Sequence, residues 1–433
     1  MRTGLDLSMG EKIKQIRQTK DVTQQYLADH LSVTRPRLSQ LEMGEDSGQG
    51  DVSPDLLMQI RKALNLEALP LTVTQREGFK EDLVKWSDVI TARKLEKAKE
   101  LRQKLSVITF APFDEELNTL FNLIDCKLAL SLRDTSTAET ILDTVDNKSL
   151  DDLPPELLGY YYRNKSAACA FRQQHQDALV YMTKAFKLKL HVKQDAVLYY
   201  GMGLRHYRVG YLRRAKMFLK EALKLCANEQ GSVWERYIKY ALVRNYIGLK
   251  DLDDAEELLC KMHKEAEDSG DNQFLCDVLI YYGYLRRLSE HIPSAIVYLN
   301  EAMEYVDKES EQYLEILYQK AQCYIAEGGI TVCEEVLEEG KRLSKNNKHH
   351  AIMFKSLEHL ITLREDESTE YLETVTVPHL LNEVPDYPVA LEYCKVLQEH
   401  YEQKTSGTIK KALDREKMIT RIYERMFMKG EPK

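Results

Sequence analysis

Apolar residues recur along this chain at three- and four-residue spacing almost without a break, the mark of amphipathic helices turning one face to a core. Gly10 to Lys20 sets Ile13 and Ile16 on one side and predicts a first helix. Thr23 then caps a helix opened by Gln24, with Tyr26, Leu27 and Leu31 at helical spacing. Ser32-Val33 makes a tight corner, and Thr34 caps a helix with Arg35 and Pro36 in its first turn and Leu38 and Leu41 directed inward. The polar stretch Glu45 to Asp51 reads as a loop. Ser53-Pro54 opens a further helix in which Leu56, Leu57, Ile60, Ala63 and Leu64 close a small core. Periodicity lapses after Asn65 and resumes at Phe79. The expected class is all-α, with a helix-turn-helix domain over 1–66 and a linker over 67–78.

From Phe79 onward an internal repeat decides the architecture. Ala138, Ala178, Ala215, Ala255 and Ala295 each open the second helix of a pair, 40, 37, 40 and 40 residues apart, and Cys333 follows 38 later. Seven positions beyond them stand Val145, Ala185, Ala222, Met262, Ala302 and Gly340. Small residues two turns apart let neighbouring helices approach closely, and a period near 40 predicts a superhelical solenoid of helical hairpins. Gly203, Gly283 and Ala321 are matching small residues in first helices. About eight or nine pairs are expected over 79–428, by the logic that each repeat covers its neighbour. The last segment places Ile409, Leu413, Ile419, Ile422 and Met426 on one side and basic residues on the other, as a capping helix would.

Composition sharpens this picture in three ways. Only 19 Gly and 11 Pro among 433 residues leave few helix breakers. No apolar run of membrane-spanning length and no basic-then-apolar leader is present, so a cytoplasmic protein is expected. Eight cysteines stand singly within helical patterns, without C-x-x-C spacing, which predicts small core residues rather than disulfides or a zinc site. The formal charge of −8, with nine Lys/Arg against ten Asp/Glu in Met1 to Thr72, excludes indiscriminate coating of nucleic acid. Binding to a double-stranded operator then depends on a few placed contacts and on two copies acting together, so a homodimer is expected.

Two sets of candidate residues follow. In the first domain Arg35, Arg37, Ser39 and Gln40 point outward, with Gln24 at the preceding helix start and Thr23 and Thr34 as caps; these side chains suit base edges and phosphates when a helix lies in the major groove. In the repeats, the alanine register puts Asn164, Tyr200, Arg205, Tyr207, Arg208, Tyr240, Arg244, Asn245, Tyr284, Arg287, Tyr318 and Gln322 on an inner face. Tyr and Arg supply area and charge there, and Asn can bond a peptide main chain whatever its side chains. Catalytic and metal chemistry find no footing. His349-His350 reads as a solvated turn, Gly201-Met202-Gly203 as helix packing rather than a dinucleotide loop, and the acidic run LREDESTE as a solvated face. No P-loop, nucleophile elbow or H-E-x-x-H is present, and neither enzyme activity nor a cofactor is expected.

The stretch TQQYLADHLSVTRPRLSQLEMG resembles the XRE, phage-repressor type of DNA-binding domain, with Ser32 where that type usually has Gly at the corner. The 40-residue hairpins are similar to tetratricopeptide repeats, which are slightly shorter. An XRE head joined to a long repeat array resembles the RRNPP regulators of Gram-positive bacteria, their plasmids and phages. That resemblance implies a transcription regulator of quorum-sensing type, in which a short re-imported peptide binds the array and alters dimerisation or the spacing of two DNA-binding domains. The alternative it leaves open is a peptide-controlled adaptor that sequesters a protein partner such as a response regulator.

Overall fold

The structure, a computed structural model, describes residues 8–43, 54–66, 71, 73–106, 114–147, 150–188, 195–227, 233–362, 366–403 and 409–427. Among them every regular element is helical. The chain divides into two compact units, Met1–Ala168 and Cys169–Lys433. The expected loop over Glu45 to Asp51, the Ser53 cap and most of the linker between 67 and 72 lie outside the described residues.

The first unit opens with α1 (Met9–Thr19), α2 (Gln24–His30), α3 (Arg35–Glu42) and α4 (Pro54–Ala63). Ser8 and Glu11 form a reciprocal capping box at the start of α1. Ile13, Ile16, Leu27, Leu38, Leu41 and Ile60 make their own core. Tyr26, placed at helical spacing with Leu27 and Leu31, is exposed and lies against His30, with ring centroids 4.1 Å apart. α1 crosses α3 so closely that a methyl group on Gly10 would stand 1.6 Å from the Leu41 carbonyl oxygen. Only glycine permits that approach.

Helix α5 (Val73–Thr91) starts within the segment read as linker, six residues before Phe79. The reason is a tertiary one. Arg76 is buried and its Nη1 donates to Asp114 Oδ1 at 3.1 Å, while Asp114 Oδ2 accepts from the Leu71 amide at 3.0 Å. The Leu71 carbonyl in turn accepts from Lys12 Nζ of α1 at 3.2 Å. Lys12 is itself buried, and burial followed by the nearby Arg76 charge lowers its pKa. Both peptide groups of Leu71 are thereby held, one by the head and one by the repeats. Around this clasp α5, α6 (Leu95–Leu105), α7 (Glu115–Ser131), α8 (Thr135–Asp146) and the start of α9 (Pro155–Phe171) build a second core on Trp86, Leu83, Leu123 and Ile124.

The second unit continues with α10 (His175–Lys187), α11 (Ala196–Arg208), α12 (Leu212–Cys226), α13 (Val233–Leu249), α14 (Leu252–Ser269), α15 (Asn272–Leu288), α16 (Ile292–Met303), α17 (Glu311–Glu327) and α18 (Ile330–Leu343). Within the pairs the chain turns through a left-handed residue at Arg93, Arg133, Gln173, Gly210, Lys250, Glu290 and Gly328. Five residues after each stands a fully buried small residue: Ala98, then the five alanines and Cys333 read from the sequence. Ala98 extends the repeat one pair toward the N-terminus. Gly203 lies in the middle of α11, where a methyl group would come 2.6 Å from Leu219 Cγ of α12. Close packing of paired helices is therefore what the Gly-Met-Gly sequence serves.

The C-terminal part, α19 (Lys348–Ile361), α20 (Asp366–Tyr371), π-helical turns over Leu372–Thr376 and His379–Glu383, α21 (Tyr387–Gln403) and α22 (Ile409–Phe427), does more than close an end. α22 packs on α21 and also reaches α12, while α21 reaches α13. Ile419, Ile422 and Met426 are buried as expected, but Leu413 is exposed. In the acidic run the described part is helical, and Ser368 and Thr369 are buried rather than solvated. Ser368 bonds the side chains of His359 and Thr362.

Candidate nucleic-acid interface and ligand cleft

Helix α3 starts where Thr34 Oγ1 accepts from the Arg37 amide at 3.4 Å, and α2 starts with Thr23 accepting from Tyr26 at 3.2 Å. Between them Ser32 adopts φ +53°, which turns the chain without a glycine. Arg35, Arg37 and Gln40 are exposed and Ser39 is partly exposed on the outer face of α3, with Thr23 and Thr34 at the surface. Gln24 is partly buried. Beneath this face lies a charge network that periodicity does not disclose. Glu42, 1% exposed, accepts from Arg17 Nε at 2.7 Å and Nη2 at 2.9 Å. Arg17 Nη1 also donates to the Val22 carbonyl at 2.9 Å. The remaining capacity of Glu42 takes Gln24 Nε2 at 3.0 Å, and Gln24 Oε1 accepts from Arg35 Nε at 3.4 Å. A buried carboxylate satisfied in this way orients the outward groups at one end of α3. The surface can meet a phosphate backbone and base edges.

In the second unit, six of the residues read as an inner face do converge. Arg208, Arg244, Tyr284, Arg287, Tyr318 and Gln322 line one cleft of about 420 Å³. The other six do not line it. Asn164 belongs to the first unit, where it is buried and donates to the Leu123 carbonyl. Asn245 is fully buried and donates to the Leu212 carbonyl at 3.1 Å. Asparagine was expected to hold a ligand's main chain; both residues hold the chain's own. Tyr207 is buried beneath Arg244, its ring 5.2 Å from the guanidinium. Tyr240 stacks on Tyr281 at 5.7 Å, and Tyr200 lies against Trp234 at 5.6 Å. Arg205 is partly buried, and burial, then the Arg208 charge, lowers its pKa to about 10, which leaves it a cation.

The cleft also contains residues that sequence reasoning missed. Arg244 Nη2 pairs with Asp386 Oδ2 at 2.7 Å, and Arg208 Nη1 reaches the Pro385 carbonyl at 3.5 Å. The only hint was the breaker sequence VPDYP ahead of α21. Glu315 faces His350 at 3.6 Å and accepts from Gln319 at 2.9 Å. Burial acts to raise the Glu315 carboxyl, and His350, Gln319 and the Arg244 charge more than offset it, so it is lowered. The reading of His349-His350 as a solvated turn is overturned: both lie in the first turn of α19, and His350 is buried. His349 Nδ1 is 2.9 Å from His379 Nε2. Burial, with His350 and His379 alongside, lowers the His349 pKa to about 4, so the His349 ring is neutral near pH 7. No grouping of three or more metal-binding side chains occurs among the described residues, and no described helix is long and apolar enough to cross a membrane.

Residues 13–71 match the helix-turn-helix family HTH_3. The regulatory protein RapD of Bacillus subtilis (strain 168) is 26% identical over 217 residues, which is 49% of this chain and 60% of that relative. Two solved structures share the fold of most of the chain. NprR in complex with its cognate peptide NprX superposes with a TM-score of 0.65 at 16% identity, covering 80% of this chain and 99% of that one. A Rap protein complexed with Competence and Sporulation Factor gives a TM-score of 0.66 at 14% identity, covering 81% and 99%. The chain therefore joins a helix-turn-helix segment of the HTH_3 type to helical repeats that share the fold of NprR and of the Rap protein.

Proposed function

We propose that this chain is a cytoplasmic, homodimeric transcription regulator that reads an operator through α3 and is controlled by a short peptide held in the cleft of its second unit. The observation that carries the reading is the exposed outer face of α3, with Arg35 tied through Gln24 to Glu42 and Arg37 and Gln40 exposed beside it, in a chain whose repeats also form a tyrosine- and arginine-lined cleft. NprR, of the same fold, is known in complex with its cognate peptide NprX, and a Rap protein of that fold in complex with Competence and Sporulation Factor. Control follows from linkage: a peptide that binds one arrangement of the helices better than another shifts the equilibrium by that difference in affinity. No catalytic step is part of the proposal.

The test is binding of the purified protein to duplexes tiled across its own upstream region, followed by fluorescence anisotropy over a salt series. Arg35→Ala and Arg37→Ala together are expected to weaken specific binding by about 2–6 kcal/mol if both contact bases. Lost phosphate contacts instead flatten the salt dependence by about one unit each. No specific duplex at any salt concentration sinks the reading. The sequence match to RapD favours a second reading, a peptide-controlled adaptor that sequesters a partner protein. It predicts that the doubly substituted protein retains its function in cells.

A further inference from the structure

The three arginines of the cleft are not equivalent. Arg244 is engaged by Asp386 and Arg208 by the Pro385 carbonyl. Arg287 lies with its guanidinium 5.2 Å from the Tyr284 ring centroid and its side chain only 12% exposed, yet its Nε and Nη2 make no hydrogen bond among the described residues. Glu392 approaches to 4.0 Å, near enough to balance charge and too far to accept a hydrogen bond. Nε and Nη2 are the two N–H groups on one edge of the guanidinium, the edge that meets both oxygens of a carboxylate side-on.

Two acceptors in the same cleft are also without partners. Gln319 donates through Nε2 to Glu315 at 2.9 Å, and Gln322 donates to the Tyr318 hydroxyl at 3.2 Å. The Glu315 carboxylate, which can only accept, fixes which way the Gln319 amide points, and the Oε1 of each amide is buried with no donor among the described residues. A buried donor edge and two buried acceptors left unsatisfied in one cavity are costly unless a ligand completes them. The required complement is an anionic group with two acceptor oxygens, accompanied by N–H donors.

We infer that the peptide of this cleft carries a carboxylate that docks side-on on Arg287, with N–H groups of the same peptide received by Gln319 and Gln322. This rests on the peptide-receptor reading above and specifies its ligand. The carboxylate comes from an Asp or Glu side chain or from the peptide's C-terminus.

The experiment presents the full-length protein with a mixed hexapeptide library in two forms, free acid and C-terminal amide, and identifies retained peptides by mass spectrometry. Enrichment of Asp or Glu at one position in both forms supports the side-chain source; retention from the free-acid form alone, without such enrichment, supports the C-terminus. Arg287→Gln is expected to lower the affinity of the selected peptides by about 10–100-fold. Arg287→Lys keeps the charge and loses the edge, so it binds with intermediate affinity. Glu392→Gln, which removes the neighbouring carboxylate and disturbs no hydrogen bond of Arg287, leaves binding unchanged or tightens it. Thermal melts of the three variants separate a lost contact from a lost fold. Peptides retained without any carboxylate, or equally by Arg287→Gln, overturn the assignment while leaving the receptor reading intact. If no peptide is retained by the unsubstituted protein, the receptor reading itself fails and the assignment with it.

Discussion

Ser32 shows how a single residue can be read correctly and still conceal its cost. Its place at the corner between α2 and α3 was evident, but only the structure shows φ at +53°, a conformation that costs an L-residue about 1 kcal/mol relative to glycine. Ser32→Gly is therefore expected to stabilise the first domain by about 0.5–1 kcal/mol, read as slower hydrogen exchange at the Leu27 and Leu38 amides in the full-length chain. His206 makes the opposite case, invisible in the sequence. It is buried, its ring stacks 5.1 Å from Phe218, its Nδ1 has no partner among the described residues, and burial followed by the Arg214 charge lowers its pKa to about 4. A folded-state pKa below the unfolded value near 6.5 means that the unfolded chain binds the extra proton. The stability this group contributes is full above pH 6.5 and is lost as pH falls toward 4. His206→Phe is expected to remove that loss, a gain of about 2 kcal/mol at pH 5 relative to the parent and little near pH 7.5, measured by denaturant titration at both pH values. The asparagines teach the same limit. Register places Asn164 and Asn245 on helix faces, but what a side-chain amide bonds is decided by which carbonyl a neighbouring helix leaves within reach.

Among elements, the second helices were legible and the turns before them were not. Alanine at a fixed spacing signals close helix approach from sequence alone, whereas the left-handed position five residues earlier is filled by Arg, Gln, Lys, Glu or Gly, so no residue type marks it. Ala98 was passed over because α6, LEKAKELRQKL, is too charged for its single small residue to stand out. The early start of α5 was illegible for another reason: apolar periodicity lapses between Asn65 and Phe79, and what holds that first turn comes from Asp114, more than thirty residues away. Asp114→Ala leaves the buried Arg76 guanidinium without its carboxylate and the Leu71 amide without an acceptor, and is expected to destabilise the first unit by about 3–5 kcal/mol. Chemical denaturation followed by Trp86 fluorescence checks this, since Trp86 lies in that unit's core and Trp234 in the other, where a Trp234→Phe background removes its signal.

For the molecule as a whole, composition and period announced an all-helical chain of head and repeats, and they missed the return of the C-terminal helices onto α12 and α13. Such long-range pairing leaves no periodic trace. Its most specific bond is Arg244 to Asp386, between residues 142 positions apart. Asp386→Asn keeps the shape and removes the charge, and is expected to cost about 2–4 kcal/mol, seen as faster proteolytic release of the segment from Tyr387 onward with α13 and α14 still protected. An unchanged cleavage pattern would show that apolar packing alone holds the return.

The grip on Leu71 has a practical consequence for building hybrids. A head domain transplanted from a relative by cutting the chain between residues 66 and 71 separates Lys12 from the carbonyl it serves and leaves an ammonium group stranded at the seam. Functional grafts are expected only when donor and recipient exchange the head together with Leu71, Arg76 and Asp114, so that modularity in this protein begins after its first hairpins rather than before them.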